Sequence, residues 1–175
     1  MAAEKQRVWA LILCLACLSG CAYVNPLVED INLVSVEQEK EISKEMAKAV
    51  SRQKNVMDGG PQVEKVSRIG KELVSFLSEK QFEYEFYVVE DDTVNAFTIP
   101  GGKIYVHTGL IEFSSNEGQL AGVIAHEIAH GHERHPTKSL TRAYGLSALL
   151  NLLFDKDLEK LQKMVVQLAA GTALT

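Results

Sequence analysis

His126-Glu-Ile-Ala-His130 constrains this chain more than any other stretch. Two imidazoles four residues apart reach one point when the backbone between them is α-helical, because positions i and i+4 stack on one face. Both ring nitrogens can then reach a single Zn²⁺ at about 2.0–2.1 Å. Glu127, beside the first imidazole, is placed to take a proton from water that the metal activates. The surroundings agree with a helix. Leu120, Val123, Ile124 and Ile128 form an apolar stripe at helical spacing. Ser114 followed by Glu117 has the spacing of a capping box, and Pro136 discourages continuation through His135. The pattern predicts a helix from about Ser115 to His135 and a zinc-dependent hydrolase. The bland alternative is a solvated helix that carries ordinary His and Glu.

The N-terminus is read as a targeting segment. Lys5 and Arg7 form a positive start, Val8 to Leu18 an apolar core, and Ser19-Gly20 a small-residue end. That is a secretory signal, too short for an ordinary membrane span. Leu18-Ser-Gly-Cys21 also resembles the lipobox of bacterial lipoproteins. The resemblance implies removal of residues 1–20 and lipidation of Cys21; Ala22 after it resembles an outer-membrane sorting signal. The alternative is a plain signal peptide with a chance Cys. Cys14 and Cys17 fall in the removed segment, so the mature chain is expected to hold no disulfide and to rely on its core and possible metal. A formal charge of −5 argues against a nucleic-acid partner, and 46% hydrophobic content in 175 residues suffices for one real core.

Residues 21–34 read as a tether and 35–175 as the working domain. Ser35 with Gln38 starts a helix expected to reach about Met57, whose Glu and Lys residues populate a solvated face. Asp58-Gly-Gly-Pro61 breaks the chain. A second amphipathic helix follows, with Val63, Val66, Ile69, Leu73, Phe76 and Leu77 toward the core. Strands are expected at Phe82–Glu90, Val94–Ile99 and Lys103–His107, the last two joined as a hairpin by Pro100-Gly-Gly102. After Pro136 the chain is helical in two pieces broken near Asp155; Leu146 to Phe154 is apolar but too short to span a bilayer. The fold class is α+β: a helical, zincin-like domain with a small antiparallel sheet just before the motif helix. A free strand edge there could hold an extended peptide across the metal by β-augmentation, and Asn95, Ala96 and Phe97 are the candidate edge. A purely structural hairpin is the alternative.

Taken together, Asn95-Ala-Phe-Thr-Ile-Pro-Gly-Gly, Val106-His-Thr-Gly-Leu and Asn116-Glu-Gly-Gln-Leu-Ala-Gly-Val-Ile-Ala-His-Glu-Ile-Ala-His, with His135, resemble the CAAX-prenyl-protease-like zinc metalloendopeptidases in their secreted bacterial branch. The resemblance runs from about Ser35 to the C-terminus. It implies a gluzincin-type fold, one Zn²⁺ per chain on His126 and His130, and Glu127 as the catalytic residue. It also implies an endopeptidase acting on proteins of the cell envelope, with unfolded or misassembled ones the expected substrates; the lipobox-like segment sets the expected place, facing the periplasm from the outer membrane.

In that family a third ligand comes from a Glu-x-x-x-Asp pattern on a later helix, which does not occur after His130 here. Glu133, Asp155, Asp157 and Glu159 are the remaining carboxylates, and none has the partner Asp. His132 and His135 read as helix-end histidines favoured by the macrodipole, and His107 as a strand-end residue. The chain as written thus reads as a fragment that stops before the ligand helix, or as a naturally short protein with an incomplete metal site. Two rival functions remain beside the endopeptidase. One is a lipoprotein chaperone or assembly factor that keeps the strand edge but does not cut; the other is an incidental metal-binding lipoprotein.

Overall fold

The computed structural model describes residues 32–155 and 158–169, with the backbone alone for 152–155 and 158. The signal segment, Cys21 and most of the expected tether lie outside the described residues. The elements run α1 (Val36–Gln53), α2 (Pro61–Ser75), β1 (Glu85–Val89), β2 (Ala96–Ile99), β3 (Lys103–His107), α3 (Thr108–Phe113), α4 (Glu117–His132), α5 (His135–Tyr144), α6 (Leu146–Asp155) and α7 (Leu158–Ala169). The class is α+β, as expected. Among the described residues no helix is long and apolar enough to cross a membrane.

The sheet has the order β1-β3-β2, and it is mixed rather than antiparallel. β2 and β3 form the expected hairpin, but β1 runs parallel to β3. The segment 90–95 is the reason. It carries the chain past the place that β3 will occupy, so the hairpin's return strand inserts between β1 and β2. Asp91 pins that crossing: its carbonyl accepts from Gly109 N (2.9 Å) and from the Thr108 hydroxyl (3.0 Å), and its carboxylate accepts from Thr93 N (3.0 Å).

Strand alternation sends successive side chains to opposite faces. One face carries Val89, Phe97, Ile99 and Tyr105, packed under Ile42, Met46, Ala49 and Val50 of α1 and under the C-terminal helices. The rings of Tyr87, Tyr105 and Phe97 stack across all three strands at centroid spacings of 5.0 Å. The other face carries Val88, Ile104 and Val106 against Val66 and Ile69 of α2 and Leu120, Ile124 and Ile128 of α4. Each such fully buried aliphatic side chain contributes about 1.5–3 kcal/mol. The motif helix is therefore bolted to one face of the sheet, across β2.

Boundaries moved where tertiary contacts won. The Ser35–Gln38 capping box forms, but α1 stops at Gln53 because Val56 bridges to Val89 and Met57 N bonds Val88 O at 2.9 Å. Phe76, expected in the core, lies past the end of α2 and is 78% exposed. The cap of α4 is Asn116, whose Oδ1 accepts from Gln119 N at 3.0 Å; Ser114 instead bonds back to Leu110 O and closes the short helix α3. Among the described residues three helices run from His135 onward, with Pro136 in the first turn, because Gly145 at φ 81° adds a break before the one near Asp155. Val34, at the end of the expected tether, is already buried in the core.

One turn is set by close approach. Gly101 and Gly102 of the hairpin have φ of 82° and 78°, which glycine alone adopts without strain. A Cβ on Gly101 would also stand 2.6 Å from Ser43 Cβ, so α1 can lie against the turn only because Gly101 has none.

Candidate metal centre and active site

The buried stripe Leu120, Ile124, Ile128 fixes the rotation of α4 about its axis. That rotation leaves His126 exposed, His130 half-buried and Glu127 buried at 6% exposure, facing β2. The Nε2 atoms of His126 and His130 converge to 2.9 Å, with ring planes at 85°. His130 Nδ1 meets Nδ1 of His135 at 2.8 Å. One of those two nitrogens must carry the proton. If His130 Nδ1–H donates to His135, the His130 Nε2 lone pair is free to bind a cation, as metal-ligating histidines commonly arrange through their second nitrogen. Burial, then His126 and His135, pushes the His130 pKa down, which favours the neutral form that a metal requires.

This donor set fits two of the protein ligands of a zinc ion. Among the described residues no group of three His, Cys, Asp or Glu side chains converges on one point. Glu133 caps the end of α4, and Glu159 is exposed and pairs with Lys163 at 2.6 Å. The side chains of Asp155 and Asp157 lie outside the described residues.

Among the described residues Glu127 has one side-chain hydrogen-bond partner. Its Oε2 accepts from the Thr98 hydroxyl at 2.8 Å, and the same hydroxyl lies 3.0 Å from the Glu127 carbonyl oxygen. Burial pushes the Glu127 pKa above the usual carboxylate range; Thr98 and His126 offset this in part. A desolvated carboxylate held by a single hydroxyl is a stronger base than a solvated one.

The candidate peptide-holding stretch divides. Asn95 and Ala96 line a cleft of about 450 Å³ that Glu127 also lines. Phe97 does not: its ring is 1% exposed and stacks on Tyr105 across the sheet. Asn95 O accepts from His107 N at 3.0 Å, which sets the phase of the β2–β3 ladder. Phe97 therefore exchanges main-chain bonds with β3, and the N–H and C=O of Ala96 point to the outer edge of β2. Asn95 Nδ2 donates to Ala169 O at 2.6 Å, tying this edge to α7.

Thr98 and Glu39 were not singled out from the sequence, and His135 was read there only as a helix-end histidine. Thr98 and His135 carry no local periodic signal, because Thr98 reaches the site from β2 and His135 through a turn. Glu39 does carry one. It shares a helical stripe with Ile42, Met46, Ala49 and Val50, and a carboxylate on a core stripe needs a partner. Glu39 is 1% exposed and binds Arg134 Nε at 2.7 Å and Gly101 N at 3.1 Å. Arg134 also donates to Val34 O at 2.6 Å and stands at φ 57°, the left-handed turn that swings His135 back toward His130. His107 is buried, and its Nδ1 lies 2.6 Å from the Thr93 hydroxyl, in the network that pins segment 90–95.

The chain matches the family model for peptidase family M48 over residues 61–172. It is 36% identical over 75 residues to the beta-barrel assembly-enhancing protease of Escherichia coli (strain K12), covering 43% of this chain and 15% of that protein. It is 31% identical over 124 residues to the mitochondrial metalloendopeptidase OMA1 of Schizosaccharomyces pombe, covering 69% of this chain and 37% of that protein. It is 30% identical over 138 residues to the putative beta-barrel assembly-enhancing protease of Vibrio cholerae, covering 74% of this chain and 28% of that protein. The chain thus spans well under half the length of these relatives. With the histidine pair and Glu127 on one helix inside the matched region, the chain belongs to peptidase family M48.

Proposed function

We propose that the chain is the catalytic part of a zinc metalloendopeptidase that cuts unfolded or misassembled proteins of the bacterial cell envelope. The observation that carries this reading is the approach of His126 and His130 Nε2 to 2.9 Å beside a buried Glu127, in an M48 chain. In this reading His126 and His130 hold the ion, and a third ligand comes from beyond the described side chains. Zinc bound there would supply Lewis-acid activation of water and of the scissile carbonyl. Glu127 takes the proton of the attacking water and delivers it to the leaving amine as the C–N bond breaks. Thr98 holds the carboxylate in place, and His135 holds the His130 tautomer. The outer edge of β2 at Ala96 pairs with the peptide backbone, so the substrate is bound as an added strand. Membership of a peptidase family disfavours a module that binds without cutting.

The proposed setting is a lipoprotein, tethered through Cys21 to the outer membrane and facing the periplasm. The lipobox-like Leu18-Ser-Gly-Cys21 and the relatives named for β-barrel assembly support it. Casein digestion with and without a chelator, repeated on Glu127→Gln, tests the catalytic reading. Cleavage that stops with chelator and is absent from the variant is expected; equal cleavage by both proteins overturns it.

A further inference from the structure

Arg134 is the one non-glycine residue with positive φ among those described, at 57°. In that region an L side chain crowds its own backbone, and the conformation lasts only where surrounding contacts impose it. Here they come from three parts of the chain. The guanidinium donates from Nε to Glu39 Oε2 at 2.7 Å and from Nη2 to Val34 O, at the start of α1, at 2.6 Å. Glu39 is itself fixed to the hairpin turn through Gly101 N at 3.1 Å. Main-chain bonds close the turn from both helices: Arg134 N donates to Gly131 O at 3.2 Å, and Lys138 N to Arg134 O at 3.1 Å. The place of this strain matters. Arg134 lies between α4, which carries His126 and His130, and α5, whose first residue is His135. Glu133 keeps a right-handed conformation, so the reversal of the chain falls on Arg134 alone. A helix continued without that reversal would turn His135 about 140° around the axis from His130. With it, the two Nδ1 atoms meet at 2.8 Å.

Resting on the metal reading above, we propose that Arg134 is a positioning residue for the metal centre. Its ion-pair clamp holds the left-handed turn, the turn holds His135 against His130 Nδ1, and that contact leaves the His130 Nε2 lone pair for the ion. A glycine would reach the same φ without strain and without the clamp. An arginine reaches it only while the clamp is closed. The metal site is therefore coupled to the start of α1 and to the hairpin turn, neither of which supplies a ligand. The coupling is reciprocal: zinc on His126 and His130 favours the closed clamp as much as the clamp favours zinc.

The first readout needs no metal. Long-range proton–nitrogen NMR correlations of the metal-free full chain at about pH 8, above the ordinary histidine pKa, show which ring nitrogen of His130 carries the proton. Wild type should show Nδ1–H. Arg134→Ala should shift toward Nε2–H, and Arg134→Gly, which takes the turn without the clamp, should stay near wild type. The second readout is zinc competition with a fluorescent chelator. Arg134→Ala should bind zinc about 10–100-fold more weakly, and Arg134→Gly should recover most of that loss. Arg134→Ala combined with His135→Ala should lose no more zinc affinity than His135→Ala alone, because Arg134 acts through His135. A merely structural Arg134 would lower the urea midpoint of the Ala and Gly variants alike and leave the His130 proton where it is. That result overturns the proposal, and so do zinc losses that add in the double variant. If Arg134→Ala does not fold, Glu39→Gln weakens the clamp from its other side and is read in the same two ways. A wild-type chain that binds no zinc sinks the metal reading; the His130 proton then still decides whether Arg134 positions that ring.

Discussion

Glu39 and Glu127 are both buried carboxylates, and they sit in regions built on opposite principles. Glu39, on α1, accepts from a guanidinium and a backbone N–H, at the clamp that joins the hairpin turn to the end of the motif helix. Glu127, on α4, accepts from one hydroxyl and otherwise faces an open cleft. A buried charge costs several kcal/mol unless paired. At Glu39 that cost is offset by a guanidinium on one oxygen and a backbone N–H on the other, so the group holds structure. At Glu127 it is left partly unmet, which raises the pKa and keeps an oxygen available for a proton. The contrast separates a carboxylate that serves the fold from one reserved for chemistry.

The sharpest way to break this contrast is to neutralise Glu127. Glu127→Gln should lower casein cleavage by about 10²–10⁴-fold, the usual contribution of a positioned general base. Its urea midpoint should stay level or rise, because a desolvated charge has been removed. A loss of stability as large as that of the clamp variants would show that the two carboxylates do the same work.

Clamp variants should do the reverse. Glu39→Ala leaves the largely buried Arg134 guanidinium, 14% exposed, without its counter-charge and should cost about 3 kcal/mol in urea unfolding. Arg134→Ala should cost a similar amount, and the double variant clearly less than the sum, as for residues in one network. Additive losses would mean that the pair does not act as a unit.

The same contrast governs what was readable in the sequence. His126, Glu127 and His130 are related by helical spacing alone, so their shared face follows from local geometry. The hairpin at Gly101-Gly102 is equally local, since its φ values call for glycine. The groups that hold those residues in place come from elsewhere in the chain: Thr98 from β2, His135 after a left-handed turn, Glu39 from α1. Their roles depend on packing, which periodicity does not encode. The parallel pairing of β1 was hidden for the same reason, since it is set by where segment 90–95 crosses. Glu39 is the exception that could have been found, as a carboxylate on an apolar stripe.

His135 tests whether the metal half of the site also depends on a partner from beyond its helix. Losing the acceptor for His130 Nδ1–H should weaken zinc binding about 10–100-fold in His135→Ala, measured by competition with a fluorescent chelator. His135→Asp, whose carboxylate can accept the same proton, should recover most of that affinity. Equal affinity in all three proteins would assign His135 to packing alone.

The smallest effect belongs to Thr98, and it probes the contrast from the Glu127 side. Thr98→Val removes the carboxylate's hydroxyl partner and keeps the side-chain shape. Burial already places the folded-state Glu127 pKa above its unfolded value, and Thr98 is the larger of the two influences that pull it down. Without Thr98 it should rise further. For a carboxyl raised in this way, the stabilising contribution is that of the protonated form. It is fully present below the unfolded pKa of about 4.3 and is lost as pH rises through the folded pKa. Metal-free Thr98→Val should therefore unfold at nearly the wild-type urea concentration near pH 4 and fall progressively behind toward pH 8. The gap should level off at about 1–2 kcal/mol, the cost of leaving a buried acceptor without its partner. A gap of constant size across that range would mean that Thr98 supports the fold by packing and leaves the base untouched. Burial would then raise the Glu127 pKa with no offset from Thr98, and the contrast with Glu39 would rest on desolvation, not on pairing.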